Sequence, residues 1–245
     1  MNEQKLEYAK NKANDPSENV SIGIQKEKIL HKIMKYYIEE DNKKHEIKVD
    51  RMYADVKNDN HIYEIQTQNF NMLRHKLDVF LPNYQVTIVY PTSRIKMLYM
   101  IDENGELIRS TKSPKKGTPF SVLPELYKIK NYLTNPNLNI KVIYLDMDEY
   151  RTQTPKKHYH SKGYERYKQV PLVIVKEYEL NGKEDYISLL EEYHLPKTFT
   201  VFEFSKIVKL SYNKAQSAIQ VLKSLEVIKL MGKVGRKNIW IINKS

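Results

Sequence analysis

Asp55, Glu64, Gln66 and Gln68 fall close together in the stretch Tyr53-Ala-Asp55-Val-Lys-Asn-Asp-Asn-His-Ile-Tyr-Glu64-Ile-Gln66-Thr-Gln68. If residues 61 to 67 form a strand, its two-residue period puts Ile62, Glu64, Gln66 and Gln68 on one face and His61, Tyr63, Ile65 and Thr67 on the other. A turn centred on Asn58-Asp59-Asn60 would fold the preceding strand back, so that Asp55 stands across from Glu64. Carboxylates that close repel one another unless a cation lies between them, and oxygen ligands of this kind suit a hard divalent ion. The alternative is that Asp55 fixes the turn and Glu64 lies on the wet face of a half-buried sheet. Against this, Ile62 and Ile65 share the strand, and buried acids need partners.

The surrounding elements decide whether these residues can meet. From Ser21 to about Glu39, the residues Ile22, Ile24, Ile29, Leu30, Ile33, Met34, Tyr37 and Ile38 recur at three- and four-residue spacing, which predicts an amphipathic helix. Glu27 and His31 stand one turn apart beside its apolar stripe. Strands are expected over 45–49, 51–56 and 61–67, and a helix over 70–81 with Phe70, Leu73, Leu77 and Phe80 inward. The apolar run Tyr84 to Tyr90 reads as a buried strand, with Tyr90 as core. A hairpin over 95–109 turns at Asn104-Gly105, a second core helix spans 120–133, and another buried strand spans 140–145. The basic, tyrosine-rich segment 150–169 reads as an exposed loop, and a short strand follows at 171–177.

This order of elements, with Asp55 on the second strand and Glu64-Ile65-Gln66 on the third, resembles the PD-(D/E)XK nuclease superfamily over residues 22–90. The resemblance implies an α/β, restriction-endonuclease-like α-β-β-β-α-β core with an additional hairpin, helix and strand. It further implies that Asp55, Glu64 and the Ile65 carbonyl bind Mg²⁺ or Mn²⁺, and that Glu27 is an additional acid. Gln66 and Ala54 stand where that family has Lys and Pro, and an amide at 66 orients water without the help of an ammonium. Catalytic roles are therefore expected for Asp55, Glu64, Gln66 and Glu27, with auxiliary places for His31 and Gln68.

The last sixty residues are a different unit. A short helix at 186–194 precedes a capping box, Thr200-Val-Phe-Glu203, that opens a helix over 201–209. The next helix starts at Ser211, with Ala215, Ala218, Ile219 and Leu222 inward and Asn213, Lys214, Gln216, Ser217 and Gln220 outward. Two strands around Gly232-Lys-Val-Gly-Arg236-Lys237 complete what looks like a winged helix-turn-helix. In such a fold the outward helix residues would meet base edges in a major groove, while Lys233, Arg236 and Lys237 track the phosphates. The expected organisation is a polar leader over 1–20, a nuclease-like domain over 21–180 that includes the basic loop, and a DNA-binding domain over 184–245.

Composition agrees with a polyanionic partner. The net charge is +11, with 18 Lys and Arg against 9 Asp and Glu in residues 151–245 and near balance before that. In the basic loop, Lys156, Lys157, Lys162, Arg166 and Lys168 could clamp a phosphate backbone, with tyrosines for stacking. There is no cysteine, which excludes disulfides and thiolate zinc sites and points to a reducing cytoplasm. No segment has the apolar length of a signal peptide core or a membrane span. The expected function is a metal-dependent DNA endonuclease acting on DNA, double-stranded by preference, with a homodimer possible and no membrane partner. The alternative is a non-catalytic DNA-binding regulator with an inactive nuclease-like domain.

Overall fold

The computed structural model describes residues 2–15, 29–102, 104–153 and 163–244. The protein is mixed α/β, built on a large mixed sheet. Its compact units do not follow chain order. One consists of Met1–His45, Ser93–Lys116 and Tyr144–Lys176, the other of Glu46–Thr92, Gly117–Ile143 and Glu177–Ser245. Among the described residues, no helix is long and apolar enough to cross a membrane.

In the first unit, helix α1 (Asn2–Asn14) packs on α2 (Ile29–Ile38). The N-terminal segment reads as a polar leader, frayed or weakly helical; in the structure it is a helix on which Leu6, Ala9 and Ala13 recur at helical spacing and are buried. Three small or apolar side chains suffice to seat an otherwise polar helix. Of the helix expected from Ser21, the structure describes only the part from Ile29, where Leu30, Ile33, Met34 and Tyr37 are buried.

The seven-stranded sheet runs β1 (His45–Val49), β2 (Met52–Asn58), β3 (His61–Ile65), β4 (Gln85–Ile101), β6 (Leu138–Gln153) and β7 (Tyr164–Glu179), with β5 (Leu107–Lys112) paired to β4. Strands β4, β6 and β7 each give one segment to either unit. Pairing is antiparallel between β2 and β3 and parallel between β3 and β4. A parallel neighbour requires a crossover, and this one carries a 3₁₀ turn at Phe70–Leu73 and helix α3 (Arg74–Phe80).

Three differences from the sequence reading have clear causes. Strand β4 does not stop at Tyr90 but continues through Pro91. The β3 ladder ends at Ile65 opposite Val89 and the β5 ladder begins at Met97 opposite Lys112, so on that side the missing N–H of Pro91 falls between two ladders. The helix expected over 120–133 is instead a 3₁₀ turn (Pro119–Val122), the short helix α4 (Leu123–Leu126) and a second 3₁₀ run (Tyr127–Tyr132). Pro124 has no N–H for the carbonyl four residues back and therefore sits in the first turn of a new helix. The basic segment 150–169 is not one loop: residues 150–153 end β6 and 164–169 begin β7, while 154–162 lie outside the described residues.

Residues 184–245 are not a unit of their own. Helices α5 (Lys183–Glu192), α6 (Val201–Ile207) and α7 (Tyr212–Ser224) belong with residues 46–92 and 117–143, and α7 packs on α4 as well as α6. The Phe120 ring meets Tyr193 at 4.9 Å and Phe204 at 6.1 Å, both edge to face, and the Thr118 hydroxyl donates to the Val208 carbonyl at 3.0 Å. The capping box is present, since the Glu203 N–H donates to the Thr200 hydroxyl at 3.2 Å and the Thr200 N–H to the Glu203 carboxylate at 2.7 Å. A three-stranded sheet, β8 (Thr198–Phe199), β10 (Lys237–Ile242) and β9 (Ile228–Val234), closes the chain. Truncating Phe120 to Ala removes the ring that joins the 117–143 segment to the C-terminal helices. The expected cost is about 3–5 kcal/mol in urea unfolding followed by circular dichroism, as for other buried rings.

Candidate active site

The hairpin between β2 and β3 closes through Asp59 and Asn60, with Asp59 in the left-handed region at φ 49°. Its register opposes Val56 to Tyr63, Lys57 to Ile62 and Asn58 to His61, and one more step opposes Asp55 to Glu64. The two acids are therefore cross-strand neighbours on one face. The Ile65 N–H donates to one Asp55 carboxylate oxygen at 2.7 Å, and the Asp55 N–H approaches Glu64 Oε1 at 3.4 Å. Ala54, Val56 and Ile62 are fully buried around them, and Glu64 is only 2 % exposed.

The ammonium that compensates these charges comes from Lys76 on α3. Its Nζ donates to Glu64 Oε2 at 2.7 Å and lies 3.8 Å from Asp55 Oδ1. Leu73, Leu77 and Phe80 are buried and seat the crossover segment on the sheet. Lys76 follows Leu73 by three residues and precedes Phe80 by four, so it stands on the edge of the same inward stripe. That spacing is visible in the sequence, but the acid-x-Lys pattern directs attention to position 66 alone.

Gln66 and Gln68 do not join the acids. Strand β3 ends at Ile65, so the alternation that was to carry both amides onto the Glu64 face stops one residue short. The Gln66 N–H continues the ladder by donating to the Val89 carbonyl at 2.9 Å, while its side-chain amide donates to the Gln68 carbonyl at 2.6 Å. Tyr90 is buried and its hydroxyl donates to the Ser121 carbonyl, which is a packing role. Glu27 lies outside the described residues. His31 is a half-buried residue of α2 in the first unit, whereas Asp55, Glu64 and Lys76 all belong to the second.

Electrostatically, the Asp55 and Glu64 carboxylates meet the Lys76 ammonium. Burial first, and then the Asp55 charge, push the Glu64 carboxyl up to about 8 despite its bond to Lys76. Burial disfavours the Lys76 ammonium, but Glu64 and Asp55 outweigh it and hold Lys76 above its ordinary value. A raised acid beside a firmly cationic lysine means that the excess negative charge is taken up by a proton, in a place where a divalent cation would serve as well. Two carboxylates and the Ile65 carbonyl are a hard-oxygen set suited to Mg²⁺, which retains waters and completes its shell with substrate oxygens. No group of three or more His, Asp or Glu side chains arranged to hold a metal occurs among the described residues.

The residues expected at DNA are distributed as follows. Asn213, Lys214, Gln216 and Gln220 are exposed on α7, and Ser217 is half-buried with its hydroxyl 3.4 Å from the Asn213 carbonyl. Gln216, Ser217 and Gln220 also border a cleft shared with Tyr127, Asn238 and Trp240. Lys233, Arg236 and Lys237 are exposed around the β9–β10 turn, where Gly235 takes φ 59°. Lys156 and Lys157 lie outside the described residues. Arg166, on β7, is drawn toward Glu149 at 3.4 Å.

Residues 28–181 match the family described as Domain of unknown function (DUF8091). The chain belongs to this family. The matched region contains Asp55, Glu64 and Lys76 and ends before α5, so the C-terminal helices and hairpin lie beyond it. An uncharacterized protein of Treponema pallidum (strain Nichols) is 29 % identical over 168 residues, which is 68 % of this chain and 64 % of that protein. The chain thus spans less than two thirds of that relative's length. No solved structure matches.

The raised Glu64 carboxyl sets a pH dependence. A folded-state pKa above the unfolded value stabilises the fold fully below the unfolded value and loses that contribution as pH rises through the folded one. For Glu64 the loss runs from about 4.5 to about 8. Glu64→Gln, which mimics the protonated acid, should flatten this part of the curve. Thermal unfolding of both proteins across that window reads the difference, which widens in favour of the variant toward the alkaline end.

Proposed function

We propose that the protein is a metal-dependent DNA endonuclease, related to the PD-(D/E)XK nucleases, that holds DNA with a C-terminal winged helix. The observation that carries the reading is the opposed pair Asp55 and Glu64, buried on adjacent strands with the Lys76 ammonium against both. Buried carboxylates this close repel one another, and a site that holds them together is suited to taking up a cation. The order α2, β1, β2, β3, α3, β4 supports the same reading, because the acids fall on the second and third strands as they do in that superfamily. Helices α5 to α7 followed by the β9–β10 hairpin, with β8 added to β10, support the winged-helix interpretation.

In this reading Asp55, Glu64 and the Ile65 carbonyl hold Mg²⁺ or Mn²⁺. Such an ion lowers the pKa of water and offsets charge on a phosphoryl centre. Asp55 is fixed by the Ile65 N–H, so its second oxygen has a defined direction. Lys76 supplies the ammonium that Gln66 cannot, and it is placed to hold Glu64 and to meet negative charge that develops on a scissile phosphate. The outward face of α7 and the basic hairpin turn would position duplex DNA, the helix at base edges and the hairpin along phosphates. Cytoplasmic DNA processing or bacterial defence is the natural setting, and a palindromic site would call for a homodimer.

The competing reading is a DNA-binding regulator whose nuclease-like core is inert. The 2.7 Å bond between Lys76 and Glu64 favours it, because an ion pair already occupies part of the site. Cleavage assays with Mg²⁺ or Mn²⁺ on duplex, single-stranded and branched DNA separate the two. Cleavage is expected, with Glu64→Ala abolishing it and leaving DNA affinity unchanged. Lys76→Ala should lower the rate by about 10²-fold or more, in the range for losing a group that stabilises transition-state charge, and Gln66→Ala should have far less effect. Tight DNA binding without cleavage of any substrate would leave only the regulator.

A further inference from the structure

Away from Asp55 and Glu64, the first unit contains a second buried acid with the opposite balance of charge. Glu149 on β6 is 0 % exposed and has four donors around it. Lys96 Nζ on β4 donates to it at 3.0 Å, Arg151 Nε at 2.7 Å and the Gln169 amide at 2.8 Å, while Arg166 Nε on β7 lies at 3.4 Å. Hydrogen bonds and charge from these groups outweigh burial and hold the carboxyl down to about 2, so Glu149 is ionised at any physiological pH. One buried negative charge therefore faces three cations.

Two of those cations reach solvent: the side chain of Arg151 is 35 % exposed and that of Arg166 is 44 % exposed. A third outward cation is anchored differently. Lys168 on β7 lies over the Tyr150 ring, 4.7 Å from its centroid, and Tyr150 is itself stacked on Tyr99 at 5.1 Å with the ring planes 18° apart. Tyr150 thus serves the ammonium. Tyr167, 62 % exposed between Arg166 and Lys168, presents its ring to solvent.

Exposed arginines and lysines are ordinarily mobile, and ordering them on a ligand costs side-chain entropy. Here buried Glu149 and stacked Tyr150 bear that cost in the fold itself. The neighbouring acids do not cancel the charge: Asp146 is held by a two-pronged bond from Arg94, which leaves the four cations Lys96, Arg151, Arg166 and Lys168 against Glu149, Asp148 and Glu165. The geometry points to a preorganised docking edge for a nucleic-acid phosphate backbone at β7, the last strand of the sheet, with Arg151 and Arg166 held at Glu149 and Lys168 held over Tyr150, whose side chain alternates to the opposite face. It reads charge and spacing without sequence, since guanidinium and ammonium groups on phosphates carry no base information. The inference rests on the nucleic-acid reading above and adds a second binding surface, distinct from α7 and the β9–β10 turn.

The test measures affinity of the full-length protein for a duplex and for a single strand of mixed sequence over a range of salt. Removing one cation that neutralises a duplex phosphate should reduce the log–log salt slope by about 0.9. Lys168→Gln replaces an exposed side chain and should lower the slope by about one such step, and Arg166→Gln/Lys168→Gln by about two, with every sequence affected equally. A Lys233→Ser/Arg236→Ser/Lys237→Ser variant serves as the separate control for the hairpin. Unchanged slopes in the Lys168 and Arg166 variants alongside a reduced slope in the hairpin variant would overturn the β7 edge while leaving the nucleic-acid reading intact. Absence of binding by the wild-type protein to either probe would overturn both. A reduction confined to the single strand would assign the surface to unpaired segments, with Tyr167 as the stacking ring.

Discussion

The hydrogen bond from the Ile65 N–H to the Asp55 carboxylate is the constraint on which the proposed chemistry depends. It ties the side chain of β2 to the backbone of β3 at the point where the backbone ladder gives way to side-chain contacts, and it turns Asp55 toward Glu64. Without it the two acids would be free to diverge, as like charges do. With it they are held together, and the local free energy must be recovered from Lys76, from a proton, or from a cation. The burial of Ala54, Val56, Ile62 and Ile65 strengthens each of these electrostatic effects by excluding water.

The acid pair was legible because it depends on a local, period-two pattern and a two-residue turn. Both are properties of a dozen consecutive residues. The local period puts Lys76 at the edge of the inward stripe, but which side chains of the sheet it meets depends on how the crossover helix lies, and that no local period specifies. Gln66 and Gln68 were misplaced because alternation gives faces only while the strand lasts, and nothing in Gln66-Thr-Gln-Asn69 marks where it stops until Asn69 adopts φ 61°. The capping box at Thr200 and Glu203 was legible for the same reason as the hairpin: its partners are three residues apart.

Longer-range organisation was less legible. The strands expected over 84–90, 140–145 and 171–177 are longer, Gln85–Ile101, Leu138–Gln153 and Tyr164–Glu179, because each serves one set of neighbours in its first half and another in its second. A break in composition therefore marked a change of partners and was misread as a change of secondary structure. The C-terminal helices show the converse. Their own pattern was clear, but aromatic contacts of Phe120 bind them to an earlier stretch of chain, so a boundary in sequence character is not a boundary in packing. The family match, ending near the start of α5, follows the sequence boundary and not the packed one.

The turn at Asp59 and Asn60 has a bearing on how this hairpin can vary over evolutionary time. Two residues, one of them already left-handed, are the least chain that can reverse direction, so the bend itself can be lengthened but not shortened. Substitutions at 59 and 60 alter only the comfort of the bend. A single insertion inside β3 ahead of Glu64 would move Glu64 and every residue after it in β3 to the opposite face of the sheet. Length inside β3 is thus under stricter constraint than identity at the bend, because only the former decides which face Glu64 occupies.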